Sequence, residues 1–573
     1  MPEGMRSQLR RSTLVFALAA VTAAATFSTP RSAEAFCGFY VAPNDAPLYA
    51  DASMVALMRD GTRTVLSMSN NYKGPATDFA MVVPVPVVLQ KENVKTLPLD
   101  IFHKLEALSA PRLVEYWEQD PCMVDMAEDE MTMKKSGLAA PGASASGKAD
   151  THGVKIEAQF TVGEYDVVVL SAEQSDGLET WLHENKYNIP KGASSALAPY
   201  IKEQQKFFVA KVDIKKVRLD ERGVAVLSPL RFSYESPDFR LPVRLGLLNS
   251  AGKQDLVIFV LAKDKRYEVA NYENTFVPTN IDVSDSTRDA FAPFYATLFD
   301  ATIAKAGGRA VVTEYAWASG SCDPCPTPPL EDSDIATLGG DVLFKMTSSG
   351  AAGVPGDPLS GYYGGASVQV VLTRLHTRYD AATLSEDLVF RAADPVVGGR
   401  EFLMSEGTPG AMPALEKGAR KDSYNNFQAR YAIRHPWTGK IACDKPRRGI
   451  WGGPPDSAAP PIKPATGLAA AKRGDVTLVE HVVNGLDDVA SWDRAAGLSP
   501  KAPGQIALPP TQPKAQTAQG PLLPDAPSVR KSCNCSLEAR DDAPSLLSWF
   551  SFCALGVILV ARRRGRWTFG ARP

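Results

Sequence analysis

The stretch YDVVVLSAEQSDGLETWLHENKYNIPKGASSALAPYIKEQQKFFVAKV, residues 165–212, decides the fold class. It opens on a continuous apolar run, Tyr165 to Ser171, and closes on a second, Phe207 to Val212. Short apolar runs of this kind read as buried strands. Between them, Asp176 to Asn185 sets Leu178, Trp181 and Leu182 on one helical face, and Ser195 to Gln205 reads as another helix. A β-α-α-β order implies helices packed on a sheet.

Working outward, Val65 to Met68 and Phe79 to Val88 read as strands joined by a turn at 70–77. Pro84 and Pro86 confine the second of these to a sheet edge or a bulge. Residues 99–119 read as helical, with Asp100 as N-cap and a second helix starting at Pro111. Leu256 to Leu261 reads as a buried strand, Phe291 to Ala306 as a helix, and Ala310 to Tyr315 as the strand after it. Val368 to Leu375 and Asp387 to Arg391 complete the set. The fold class is α+β, a mixed, partly antiparallel sheet with packed helices. A disordered stalk and one C-terminal transmembrane helix are expected to follow it. A weak internal echo, Asp78-Phe79 with Pro84-Val85 against Asp238-Phe239 with Pro242-Val243, suggests a repeated hairpin.

The 573 residues carry 62 Lys and Arg against 64 Asp and Glu, a formal net charge of -2. That balance argues against a nucleic-acid partner, which calls for a basic excess. With 45% hydrophobic and 22% charged residues the chain is an ordinary globular one.

Both ends read as export signals. Arg6, Arg10 and Arg11 precede the 14-residue apolar run 14–27, and Ala33-Glu34-Ala35 forms an A-x-A cleavage site that leaves Phe36 as the mature N-terminus. Near the other end, Leu546 to Ala561 gives 16 apolar residues. As a helix they reach about 24 Å, short of a ~30 Å hydrocarbon core but able to span with local thinning. Arg562, Arg563, Arg564 and Arg566 follow and stay cytoplasmic by the positive-inside rule, which puts the bulk of the chain outside and makes the membrane a partner. The expected division is a signal peptide at 1–35, an exported body at 36–452 with a mobile loop near 134–151, a Pro/Ala-rich stalk at 453–532 and a membrane or sorting tail at 533–573. Within the stalk, 475–492 is the one stretch that reads as an amphipathic element.

Four blocks of the body then resemble one family. They are Asn71-Tyr72-Lys73-Gly74 with Asp78-Phe79 and Val83-Pro84-Val85-Pro86; Cys322-Asp323-Pro324-Cys325-Pro326; Arg374 to Tyr379 leading into Glu386 to Phe390; and Phe427 to Tyr431 with His435 to Gly439. Residues 36–445 are similar, on these blocks, to the bacterial domain of unknown function 2330. The resemblance implies an exported, often membrane-anchored protein and supplies no reaction. The tail, with Cys533-Asn534-Cys535 ahead of the apolar segment and its arginines, resembles the myxosortase-type sorting signals of myxobacterial surface proteins. In that group the tail is cut near the cysteine and the protein passes to the cell surface.

Of eight cysteines, Cys37, Cys122, Cys322, Cys325 and Cys443 lie in the body and are disulfide candidates in an oxidising compartment. Five sulfurs leave one over, and the connectivity stays open, with Cys122 to Cys37 as one pairing. Cys322-x-x-Cys325 reads first as structural, closed on itself or bridged to partners such as Cys443. A redox reading needs the first cysteine at a helix N-terminus, which the following prolines forbid. A zinc reading needs two more ligands. No nucleophile elbow, phosphate loop or EF-hand is present, so no cofactor or metal is called for. The leading function is a binding or envelope-structural role outside the cytoplasm. The alternative is an exported hydrolase or thiol enzyme using Cys322, Cys325, His376 or His435, where His435 is expected to bond backbone in a packed turn.

Overall fold

The computed structural model describes residues 39–41, 49–50, 53–69, 72–73, 79–122, 154–187, 189, 192–219, 225–249, 252–344, 368–399, 418–454 and 464–499. Both apolar end segments, the cleavage site at Ala33, Ala35 and Phe36, the loop at 134–151, and Cys37, Cys533 and Cys535 lie outside them. Among the described residues no helix is long and apolar enough to cross a membrane.

The architecture is α+β. The 165–212 stretch folds as its pattern demands. Strands Tyr165–Ala172 and Lys206–Val212 pair antiparallel, with helices Ser175–Glu184 and Ala193–Lys202 between them. Val154–Val162 flanks one side, and Ala80–Val85 and then Phe39–Val41 flank the other, giving a five-stranded antiparallel sheet. The edge or bulge expected for Ala80–Val85 is not found: the strand lies inside the sheet between Phe39–Val41 and Lys206–Val212, in unbroken register with the latter, and among the described residues Pro84 is paired on the Phe207 side alone.

One face of this sheet packs on a larger mixed sheet. The larger sheet's centre runs Ala310–Ala318, Val371–Tyr379, Gln254–Ala262, Ser53–Asp60, Arg63–Ser69 and Leu230–Glu235. Neighbours are antiparallel except for Gln254–Ala262 beside Ser53–Asp60. Val55, Leu57, Leu66, Met81, Val83, Val167, Phe208 and Ile258 fill the space between the sheets. Outside the smaller sheet, Leu178, Leu182, Leu197 and Tyr200 of the two helices cover Leu170, Phe207 and Val209. Outside the larger one, Phe102, Leu105 and Leu108 of helix Asp100–Ser109 cover Ala56, Phe259 and Leu261.

A third sheet orders Trp451–Gly452, Arg112–Glu118, Arg430–His435, Ile281–Val283 and Val482–Asn484. Helix Thr287–Lys305 packs on it through Phe291, Phe294 and Leu298 against Tyr431 and Ile433.

Three expectations are corrected here. Pro111 does not start a helix. It follows the end of the 100–109 helix, and Arg112–Glu118 is a strand whose burial alternates residue by residue. The stalk does not begin at 453. Residues 464–499 lie on the body, where Leu468 and Leu478 are buried against the 287–305 helix, and the 475–492 element is a 3-10 turn, a short strand and the helix Val489–Ala495. The Asp-Phe echo is no repeated hairpin: Phe79 and Phe239 share one core, but Ala80–Val85 does not pair with Arg63–Ser69, nor Arg240–Leu241 with Leu230–Glu235.

Candidate functional site

Val371–Tyr379 reads VLTRLHTRY and carries three ionisable residues at alternate positions. Period 2 puts Arg374, His376 and Arg378 on one face and Leu375 and Tyr379 on the other, in the core between the sheets. The charged face meets the 287–305 helix rather than water. A bulge in the facing strand, where register shifts between Thr313 and Tyr315, leaves Glu314 to turn its carboxylate onto this face.

The result is a buried ion network. Glu314 Oε1 lies 2.7 Å from His376 Nδ1, and its Oε2 accepts from Arg374 Nε at 2.5 Å. Tyr295 donates its hydroxyl to the same carboxylate. His376 Nε2 lies 3.2 Å from Asp255 Oδ1, and the Phe299 ring stacks on the imidazole with centroids 3.8 Å apart. Arg378 holds the other Asp255 oxygen. Arg473, from the segment expected to be stalk, donates to Asp255 at 2.9 Å and to Asp300 at 3.1 Å. Arg374 and Glu314 are fully buried, and His376 is 1% exposed. Burial alone raises the Glu314 carboxyl, but the charges of His376 and Arg374 outweigh it and hold it down to about 2. Burial pulls His376 down, while Glu314 and Asp255 more than offset it, so its proton is held above the ordinary value.

Each ring nitrogen of His376 faces a carboxylate. An imidazole bonded this way has no nitrogen left to activate a hydroxyl or thiol, which a nucleophile–base pair requires. Among the described residues neither His376 nor His435 hydrogen-bonds to Cys322 or Cys325. His435 does not bond backbone in its turn. Its Nε2 meets Glu115 at 2.8 Å and its ring stacks on Trp117.

The second constellation is the CxxC loop. Cys322 and Cys325 are bonded to each other, not to Cys443, which is bonded to Cys122 across 321 residues. That pairing also replaces the expected tie from Cys122 to Cys37. The loop sits on two buried guanidiniums. Asp323 O accepts from Arg430 Nη2 at 2.6 Å and from Gln428 Nε2 at 2.5 Å, and Pro324 O accepts from Arg112. Arg112 also donates to Leu108 O, and Arg430 to the Tyr116 hydroxyl. Arg112 is 3% exposed and Arg430 0%. Among the described residues Arg430's one carboxylate partner is Asp323, 3.4 Å away on a half-exposed side chain, and Arg112 makes no ion pair.

The sequence singles out His376, the CxxC pair and the block holding Gln428 and Arg430, but not Glu314, Asp255, Arg112 or Arg473. The signal it does carry for the acids is a lone charge inside an apolar strand, as in AVVTEYAWA and QDLVIFVLA. Such a charge is rarely buried without a partner. Asp387, in the third block, is likewise held: Tyr200 donates to it at 2.7 Å and Arg244 at 3.1 Å. An open groove lined by Phe276, Val277, Leu486 and Trp492 carries no ionisable side chain. Among the described residues no group of three His, Cys, Asp or Glu side chains is arranged to hold a metal ion.

Fold and sites together define an α+β protein closed by buried ion pairs and cystines. A family model described as an uncharacterized protein conserved in bacteria (DUF2330) matches residues 31–391, well over half of the chain, and the chain belongs to that family. The match takes in the first three motif blocks and ends before the fourth. No curated protein and no solved structure matches the chain.

Proposed function

We propose that this chain is an exported body, anchored at the cell envelope by its C-terminal segment, that binds or braces a partner outside the cytoplasm. The observation that carries this reading is the cysteine pairing: all four cysteines in the described part of the body are taken up in cystines. Bridges of this kind persist in oxidising compartments. The apolar run at 14–27 with its A-x-A site, and the run at 546–561 with its arginine cluster, support the same topology. A hydrolase or thiol enzyme built on His376 or His435 needs a histidine nitrogen facing a free thiol, and both histidines here face carboxylates.

The test is cell fractionation followed by mass spectrometry of the intact protein without reduction. The expected result is envelope material beginning at Phe36 with Cys122–Cys443 closed. Cytosolic material that retains Met1 and free thiols overturns the reading.

A further inference from the structure

The cystine joining Cys122 to Cys443 closes a loop hundreds of residues long, whereas Cys322–Cys325 closes only four. A ring that short constrains little of the unfolded chain, so stability is a poor account of it. Its surroundings suggest another. Cys325 is exposed and Cys322 half-buried against the core of the larger sheet. The two carbonyls between them rest on the guanidiniums of Arg112 and Arg430, positive charge that is buried and, among the described residues, has no carboxylate partner apart from Asp323. Among the described residues, the phenols of Tyr116 and Tyr315 also contact these guanidiniums.

We propose that Cys322–Cys325 is a redox-active cystine that oxidises dithiols of partner proteins. A partner thiolate attacks the exposed Cys325 Sγ. The Cys322–Cys325 bond breaks, and Cys322 leaves as a thiolate in the loop whose Asp323 and Pro324 carbonyls the two guanidiniums hold. The partner's second thiol, losing its proton to solvent, then attacks the mixed disulfide and releases Cys325. The partner loses two electrons and gains a disulfide; Cys322 and Cys325 gain the two electrons and are left as thiolate and thiol. A disulfide-bearing oxidant restores the ring. A stabilised leaving thiolate speeds the first step, and a stabilised reduced form makes the pair a stronger oxidant. Fixed guanidiniums thus supply what a helix N-terminus supplies in other CxxC sites, which is why the prolines that rule out a helix do not rule out the chemistry. No histidine takes part, and the inference does not depend on how the chain is anchored.

The experiment equilibrates the full chain with graded glutathione, quenches with acid, alkylates, and maps each cysteine by mass spectrometry. Cys322–Cys325 is expected to open at a reductant level at least tenfold below that needed for Cys122–Cys443. Once open, Cys322 is expected to react with iodoacetamide at pH 7 roughly tenfold faster than a thiol of ordinary pKa near 8.5. Asp323→Asn, a change on an exposed side chain, removes the competing negative charge and is expected to speed that alkylation further. Arg430→Gln is expected to slow it and Arg430→Lys to keep it. The proposal is overturned if both cystines open together, if Cys322 titrates near 8.5, or if a folded Asp323→Asn protein leaves its rate unchanged.

Discussion

His376 and Glu314 hold each other's charge, and this makes the body's stability depend on pH from both sides. His376 has a folded pKa above its ordinary 6.5, set by Glu314 and Asp255 against the pull of burial. Its contribution is whole below pH 6.5 and fades as pH rises through the folded value. Glu314 runs the other way. Its ordinary 4.5 is lowered to about 2, so its contribution is whole above pH 4.5 and fades as pH falls toward about 2. Thermal unfolding is therefore expected to show a plateau from this cluster between about pH 4.5 and 6.5. In His376→Gln the alkaline decline is expected to flatten, and an unaltered decline in a Tm series from pH 6 to 9 counts against the assignment. Glu314→Gln leaves Arg374 buried without its counter-charge, and a cost of about 3–5 kcal/mol is expected. Denaturant midpoints compared between the two proteins check it.

At the scale of elements, legibility in the sequence tracks apolar continuity. QDLVIFVLA buries both faces along its whole length, YDVVVLS and KFFVAKV bury one face and part of the other, and such apolar runs announce themselves. RLVEYWE, placed after a helix and a proline, reads as helical although Val114 and Tyr116 alternate with Glu115 and Trp117; Pro111 ends one element rather than opening another. In VLTRLHTRY the charges fall at alternate positions, a pattern that on its own also fits a solvated face, and only acids from distant strands reveal that it is buried. The 464–499 segment is hidden for a different reason. Outside 475–492 it has no period, and beyond the pairing of Val482–Asn484 much of its seating rests on isolated groups: Leu468, Leu478, the Asp493 carboxylate accepting the Leu478 and Val479 amides, and Arg473. Since hydrogen bonds to charged groups contribute about 1.5–3 kcal/mol, Arg473→Met is expected to loosen this segment by that order while the sheets stay folded. Amide exchange at Leu478 and Val479 should quicken by tenfold or more, with the Val371–Tyr379 amides unchanged. Equal loosening of both regions argues against a separable strap.

For the whole molecule, the decisive boundary is where the fold ends. Cys122–Cys443 ties the turn after the Arg112–Glu118 strand to the loop after the 430–435 strand, and closing 321 residues corresponds to an upper limit of about 5–6 kcal/mol in the chain-entropy model. That staple acts upstream of 453 and cannot replace the packing that residues 464–499 supply. This segment buries Leu468 and Leu478, each worth about 1.5–3 kcal/mol. Removing it also exposes Phe294, Leu298 and Val277 beneath and leaves Asp255 and Asp300 without Arg473. Against a typical total of about 5–15 kcal/mol, those losses are large. A chain of residues 36–452 is therefore expected to aggregate or to melt roughly 10 °C or more below a chain of residues 36–499, even with the Cys122–Cys443 bridge intact. Calorimetry on the two chains under oxidising conditions decides it. Equal melting of the two would place 464–499 outside the cooperative unit and restore the shorter body.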